Sequence, residues 1–490
     1  MRTQTFFRNN ALIGAAEIVC RLPLILTAGY MARALGTEAY GHWVMIMVAQ
    51  NLIASIACLG MSSSISRLVS VSSPGQAASY LHFGLRVGAL ALCGFLAATA
   101  LMYQSIGKML GLPADFGWLL PVAVAASITA VAEGLLDAFF KARSLISRQL
   151  LFVLARTLAD IAAVFVVFRL LAPRGDWAAP QLLLTYLAGV LLLKLATYPW
   201  LLTGRLARPE PITPLQRREF IHYGLPIVPA ILVSWVVGQG DRLVLGQLVG
   251  SHELGIYAFG ASLASYIAYL GYAVYPLLLP NASRLYDGGN REGLRELFLR
   301  SQQLYLALLA GALAVIALFG QEIVLWTAGP AFAGSARPLL IISLALGFEH
   351  LFGVYQYVFH LVKQTRWIFW FNLTYGGLMV TFVYAAARIG GINLVPWAVL
   401  AAVLTSNALR YVVAQRHLAL PLPLPMLLAA ALTLVAALAL NACSAGWGWW
   451  PRIAVLGLGA AALAATQPGV RRRCRVLLSG LYRHPAGRGD

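Results

Sequence analysis

The chain has 490 residues, 60% of them hydrophobic and only 11% charged, with a mean hydropathy of +0.77. A soluble domain carries about 25% charged residues, so this composition excludes a soluble fold of such a size and makes lipid the solvent for most of the surface. A net charge of +19 would suggest nucleic acid in a soluble chain, but here the basic residues lie in short loops between apolar stretches and no aromatic-and-basic module is visible, which argues for membrane topology and lipid contact.

The first apolar stretch begins near Ala11, behind Arg2 and Arg8. It is long enough to be a retained first helix rather than a removed leader. About fourteen stretches of spanning length follow one another. Six run at roughly 11–32, 41–66, 80–106, 117–140, 149–171 and 180–203, and six more at roughly 222–246, 255–280, 301–320, 337–362, 367–387 and 393–414. A last pair falls at about 424–442 and 451–467. The expected fold is therefore an all-α polytopic membrane protein. Its N-lobe is 1–204, a cytoplasmic linker occupies 205–221, the C-lobe is 222–417, a helix pair fills 418–468 and a basic tail is 469–490. Pro209, Pro211 and Pro214 mark the linker. The cysteines Cys20, Cys58, Cys93, Cys443 and Cys474 form no CxxC pair, which speaks against a disulfide framework or a zinc site.

Charge fixes an expected orientation. With the N-terminus inside, the clusters Lys141-Arg143-Arg148, Arg205-Arg208-Arg217-Arg218, Arg284-Arg291-Arg295-Arg300, Arg410-Arg416 and the tail arginines all fall on the cytoplasmic side. The positive-inside rule then puts both termini in the cytoplasm.

Two first-hairpin sequences match. Leu35-Gly36-Thr37-Glu38-Ala39-Tyr40-Gly41-His42-Trp43 and Val249-Gly250-Ser251-His252-Glu253-Leu254-Gly255-Ile256-Tyr257 share G-[ST]-x-x-x-G-x-[WY] at an offset of 214 residues. Six spans per half bring the chain back to the same side, so the halves form a parallel repeat about an axis along the membrane normal. The stretch Ala34–Gly41 resembles the first-hairpin signature of the Wzx-type polysaccharide flippases of the MOP superfamily. Gln239-Gly240-Asp241-Arg242-Leu243-Val244-Leu245-Gly246 and Gly390-Gly391-Ile392-Asn393 resemble later parts of that family, over roughly residues 5–420. The lipid II flippase MurJ and the MATE exporters are similar in plan. The resemblance implies two six-helix lobes in the bacterial inner membrane, with 421–467 as an extra helix pair. It implies as substrate an undecaprenyl-pyrophosphate-linked oligosaccharide, carried from the cytoplasmic to the periplasmic leaflet for exopolysaccharide, capsule or O-antigen synthesis, with membrane lipids, a polysaccharide polymerase and chain-length proteins as partners.

Charges inside the spans are costly, at roughly 2.5–3.5 kcal/mol each on insertion scales, and usually face a cavity or a partner. Glu17 and Arg21 lie one turn apart before Pro23, either as a self-neutralised pair or as a cavity cation with its acid. Arg86 follows His82 by a turn and either snorkels or faces the cavity. Glu133, Asp137 and Lys141 share one face, Arg156 and Asp160 form another i,i+4 pair, and Lys194 stands alone in its span. The cation excess of the first half suits a diphosphate. Arg21, Arg86 and Arg156 are thus the expected substrate-binding residues. Glu17, Glu133 and Asp137 are the expected residues for coupling to H+ or Na+, with no organic cofactor and no metal centre. Two rival functions remain. A MATE-like cation exporter would be governed by acids such as Glu17 and Glu133. A membrane polymerase or ligase would need a large catalytic outer loop, and no such loop, no HExxH and no phosphate-cradling GxxxxGK[ST] is present.

Overall fold

The structure is a computed structural model that describes residues 23–202, 208–275 and 278–443, with single positions at 20, 452, 454, 456 and 457. Most of these residues are helical, and no strand occurs among them. The helices of ten or more residues begin with α1 (Leu24–Ala57), α2 (Met61–Val71), α3 (Pro74–Met109), α4 (Leu119–Ala142) and α5 (Ile146–Val164). They continue with α6 (Ala179–Leu202), α7 (Pro214–Gly224), α8 (Val228–Leu248), α9 (Ser251–Ala264) and α10 (Leu278–Asp287). The last are α11 (Arg291–Ala328), α12 (Ala336–Gly353), α13 (Arg366–Gly390), α14 (Val395–His417) and α15 (Leu424–Cys443).

Among the described residues eleven helical stretches are long and apolar enough to cross a bilayer, and Leu424–Ala439 is a shorter apolar helix. Two features separate this count from the expected fourteen. The stretch Leu24–Val71 is continuous only by hydrogen bonding, because Gly36 breaks it with φ 73° and ψ 174°. The start of the first expected span, and nearly all of 451–467, lie outside the described residues.

The chain divides into two compact units. The first comprises 1–263, 324–342 and 365–406. In it α4 is the central helix, packed by α1, α2, α3 and α6, while α5 packs on α6 and α8 on α1 and α13. Ile65, Leu81, Leu135, Phe140, Phe152 and Phe220 are fully buried there, with Tyr80 stacked on Phe220 at 5.6 Å between centroids. In a bilayer such contacts gain van der Waals packing rather than transfer free energy, since the competing solvent is itself apolar. Helix starts are written locally. Ser73 caps α3 by accepting from the Gln76 N–H, with Pro74 in the first turn, and Thr213 and Gln216 close a reciprocal capping box at α7.

The second unit comprises 264–323, 343–364 and 407–490. Its described core contains the fully buried Phe298, Ala345, Leu351 and Phe359. Tyr305 donates to the Gly347 carbonyl at 3.2 Å across α11 and α12, and its ring lies 5.2 Å from that of Tyr275.

Candidate functional site

The polar residues of α4, α5 and α6 meet inside the first unit. All three helices are made of Leu, Ala, Val and Phe, so each carries its few charges on one face of an otherwise apolar cylinder. Lys194 of α6 is 7% exposed. Its Nζ lies 2.8 Å from Glu133 Oε1 of α4 and 2.8 Å from Asp160 Oδ1 of α5. Tyr198, one turn further along α6 and next to Pro199 within that helix, donates its hydroxyl to the same Glu133 oxygen at 2.5 Å. Arg156, one turn before Asp160, acts electrostatically on it, and its guanidinium lies 5.7 Å from the Phe152 ring centroid. Two carboxylates and two cations thus balance in one cluster. The ammonium is nearly sealed, whereas the side chains of Glu133 and Asp160 keep 21% and 28% of their surface accessible.

A second acid lies one turn along α4. Asp137 pairs with Lys141 at 2.8 Å and accepts from the fully buried Gln149 Nε2 at 2.5 Å. The second unit holds its own buried pair. Arg410 of α14, 2% exposed, donates to Glu349 Oε1 of α12 at 3.1 Å, and Asn407 donates to Glu349 Oε2 at 2.7 Å. Arg410 therefore does not serve as the loop charge that the sequence pattern suggested. Among the described residues no group of three or more His, Cys, Asp or Glu is placed to hold a metal ion.

The two matched hairpins cross each other within the first unit. Gly36 and Gly250 both take positive φ, 73° and 91°, a conformation in which glycine alone is unstrained. Beyond them the backbones touch. A Cβ on Gly41 would collide with the Ser251 carbonyl oxygen, and a Cβ on Gly255 with the Thr37 carbonyl oxygen. At the offset of 214, Gly41 corresponds to Gly255 and Thr37 to Ser251, so each contact is the image of the other. Thr37 Oγ1 and His252 Nδ1 share a hydrogen bond at 2.7 Å across the crossing. Tyr40 packs edge-on against Phe259 and Phe332, and Tyr257 donates to Asp241 at 2.6 Å.

The family described as polysaccharide biosynthesis protein matches residues 30–337, a range that holds the crossing hairpins, the α4–α6 cluster and the linker. The chain belongs to the polysaccharide biosynthesis protein family. A curated relative, an Lsg locus protein of Haemophilus influenzae, is 21% identical over 399 residues, covering 78% of this chain and 90% of the relative. Among solved structures, the lipid II flippase MurJ in an inward closed conformation superposes with a TM-score of 0.69 at 13% identity, covering 96% of this chain and 100% of MurJ. An inward-facing MATE multidrug transporter of the MOP superfamily gives 0.63 at 12% identity over 83% of this chain and 98% of its own. A MOP superfamily transporter of Pyrococcus furiosus, whose structure is described by a binding pocket of reverse polarity, gives 0.59 at 14% identity over 84% of this chain and 94% of its own. This member of the polysaccharide biosynthesis family is thus a multi-pass membrane protein with the MurJ and MATE fold.

Of the residues singled out in the sequence, Glu133 and Arg156 come together in the α4–α6 cluster, with Asp137 one turn away. Arg86 lines a separate cavity at the linker end of α3. Glu17 and Arg21 lie outside the described residues. Lys194 and Tyr198 are the residues whose role the sequence did not reveal. The only signal was that acids and an unpaired lysine occupy three successive spans.

Proposed function

We propose that the protein is a flippase that carries an undecaprenyl-pyrophosphate-linked oligosaccharide from the cytoplasmic to the periplasmic leaflet of a bacterial inner membrane. Family membership and the transporter fold support the reading. The observation that carries it furthest is the reciprocal contact of Gly41 with Ser251 and of Gly255 with Thr37. A crossing that maps onto itself suits lobes 1–204 and 222–417 that close against each other at one face and part there in the alternate state. With both termini cytoplasmic, as the basic loops indicate, that face is periplasmic.

In this reading arginines grip the diphosphate in bidentate fashion, with Arg21 and Arg156 as the first choices and Arg86 nearer the cytoplasmic entrance. The α4–α6 cluster is the coupling device. Glu133 and Asp160 are held by one ammonium, and uptake of a proton by either leaves the cluster with net positive charge. The test is transfer of a defined lipid-linked sugar in proteoliposomes, with and without H+ and Na+ gradients. Sided transfer that a gradient accelerates is expected. Transport of a cationic dye without transfer of the lipid-linked sugar would favour an exporter and overturn the reading.

A further inference from the structure

The linker between the halves is pinned to the start of α3. Glu210 donates its backbone N–H to the Gly75 carbonyl at 3.2 Å, its Oε2 accepts from Ser73 Oγ at 2.7 Å, and Ser79 Oγ donates to the Glu210 carbonyl. An acid at that position also complements the helix dipole. Between the pinned linker and α3 lies a cavity of about 600 Å³.

Its walls are of two kinds. His82, Arg86 and Arg217 supply cationic or hydrogen-bonding groups, against the one carboxylate of Glu210, whose Oε2 is taken by Ser73, while Phe83, Val87 and Leu90 supply apolar surface. His82, Arg86 and Leu90 recur every four residues, so they form one stripe along α3. The stripe runs from polar to apolar, and Leu90 is 72% exposed. The 36 residues of α3 extend about 54 Å at 1.5 Å each. Against a hydrocarbon core of about 30 Å, a centred helix overhangs by about 12 Å, or about eight residues, at each end. Residues 82–86 then lie at the boundary between headgroups and acyl chains, and Leu90 lies within the chains. Arg217 reaches the same cavity from α7, 5.9 Å from the Phe83 ring centroid. Among the described residues neither Arg86 nor Arg217 ion-pairs with a carboxylate.

We propose that this cavity is a binding site for the phosphate of a lipid headgroup, with the lipid chain leaving along Leu90. A snorkelling arginine needs neither a second cation nor a wall. Here two guanidiniums from different helices face one cavity behind residues 209–212, and two such groups hold phosphate oxygens well. Occupancy ties α3 to α7 and so stiffens the linker. The site requires only that the chain sits in a membrane, and it does not depend on the transport reading. The same chemistry could come from a bulk anionic glycerophospholipid or from a polyprenyl phosphate carrier.

Native mass spectrometry of the purified full chain tests it, with phosphatidylcholine, phosphatidylglycerol and undecaprenyl phosphate as separate probes. The anionic lipids should bind more tightly than phosphatidylcholine. The double substitution Arg86→Ala/Arg217→Ala should weaken them by roughly tenfold or more, Arg86→Lys/Arg217→Lys by less, and the exposed Arg300→Ala not at all. Equal binding of both anionic lipids identifies a general headgroup site, and a preference for undecaprenyl phosphate identifies the carrier. Wild-type affinity for both in the double alanine protein would overturn the proposal. Should that protein fail to fold, Leu90→Trp decides: the quenching it adds to that of the wild-type chain, with its 12 tryptophans, should be greater with brominated phosphatidylglycerol than with brominated phosphatidylcholine, and equal added quenching would overturn the site.

Discussion

Substitution of Lys194 by methionine removes one charge and little volume, and it leaves two carboxylates facing a gap. At 2.8 Å each, the attractions between Lys194 and its two acids amount to about 6 kcal/mol apiece at an effective dielectric constant of about 20. Desolvation of the three ions offsets most of this, and the net loss on removing one partner of a buried pair is about 3–5 kcal/mol. Thermal unfolding of the purified protein in detergent should therefore show a clearly lower midpoint for Lys194→Met. Adding Glu133→Gln and Asp160→Asn removes both stranded carboxylates, leaves Arg156 as a single cation, and should restore part of the midpoint. Sugar-lipid transfer by this triple variant should lose its response to an ion gradient. An unchanged midpoint for Lys194→Met would refute the energetic argument. A stable triple variant that still responds fully to the gradient would show that the cluster is a packing device.

Gly41→Ala and Gly255→Ala each press a methyl group on an opposing carbonyl, an overpacking of about 1–3 kcal/mol. Both should raise the labelling of a cysteine placed at Tyr40 by an impermeant maleimide, and unchanged labelling would mean the crossing does not open there. Arg410→Met should lower the unfolding midpoint by stranding Glu349, and Glu349→Gln in the same chain should recover most of it; absence of recovery would show that Arg410 acts through packing. Arg21→Ala should abolish transfer and Arg21→Lys impair it at normal membrane levels, and full transfer by Arg21→Ala would move the diphosphate site elsewhere.

The membrane class and the run of apolar helices were legible because hydropathy and span length answer directly to the bilayer. The hairpin pair was legible for a different reason: Gly36 and Gly250 occupy backbone conformations that other residues avoid, so the requirement is written in the residue type. The α4–α6 cluster was only half visible. Spacing along one helix revealed Glu133, Asp137 and Lys141, but Lys194 meets Glu133 only through helix packing, which no local pattern encodes. Arg410 misled for a related reason. Counting basic residues toward the ends of spans assumes that they face water, and the partner that buries Arg410 lies on another helix. Arg86 was ambiguous between headgroup and central cavity, and in the structure it lines a separate cavity whose opposing wall is residues 209–212.

In the proposed flippase, charge balance gives the proposed coupling a sign. With Glu133 and Asp160 ionised and Arg156 and Lys194 cationic, the cluster is neutral and holds no net attraction for a diphosphate. One proton on either carboxylate leaves a net positive charge in a low-dielectric interior, where a charge acts over longer range than in water. Proton and anion then favour each other's binding, and linkage requires the preference to be mutual. An exporter of cations works with the opposite relation, in which the proton and the cargo repel. On the proposed reading, the polarity of cargo that such a bundle serves follows from whether cations such as Lys194 and Arg156 stand among its acids.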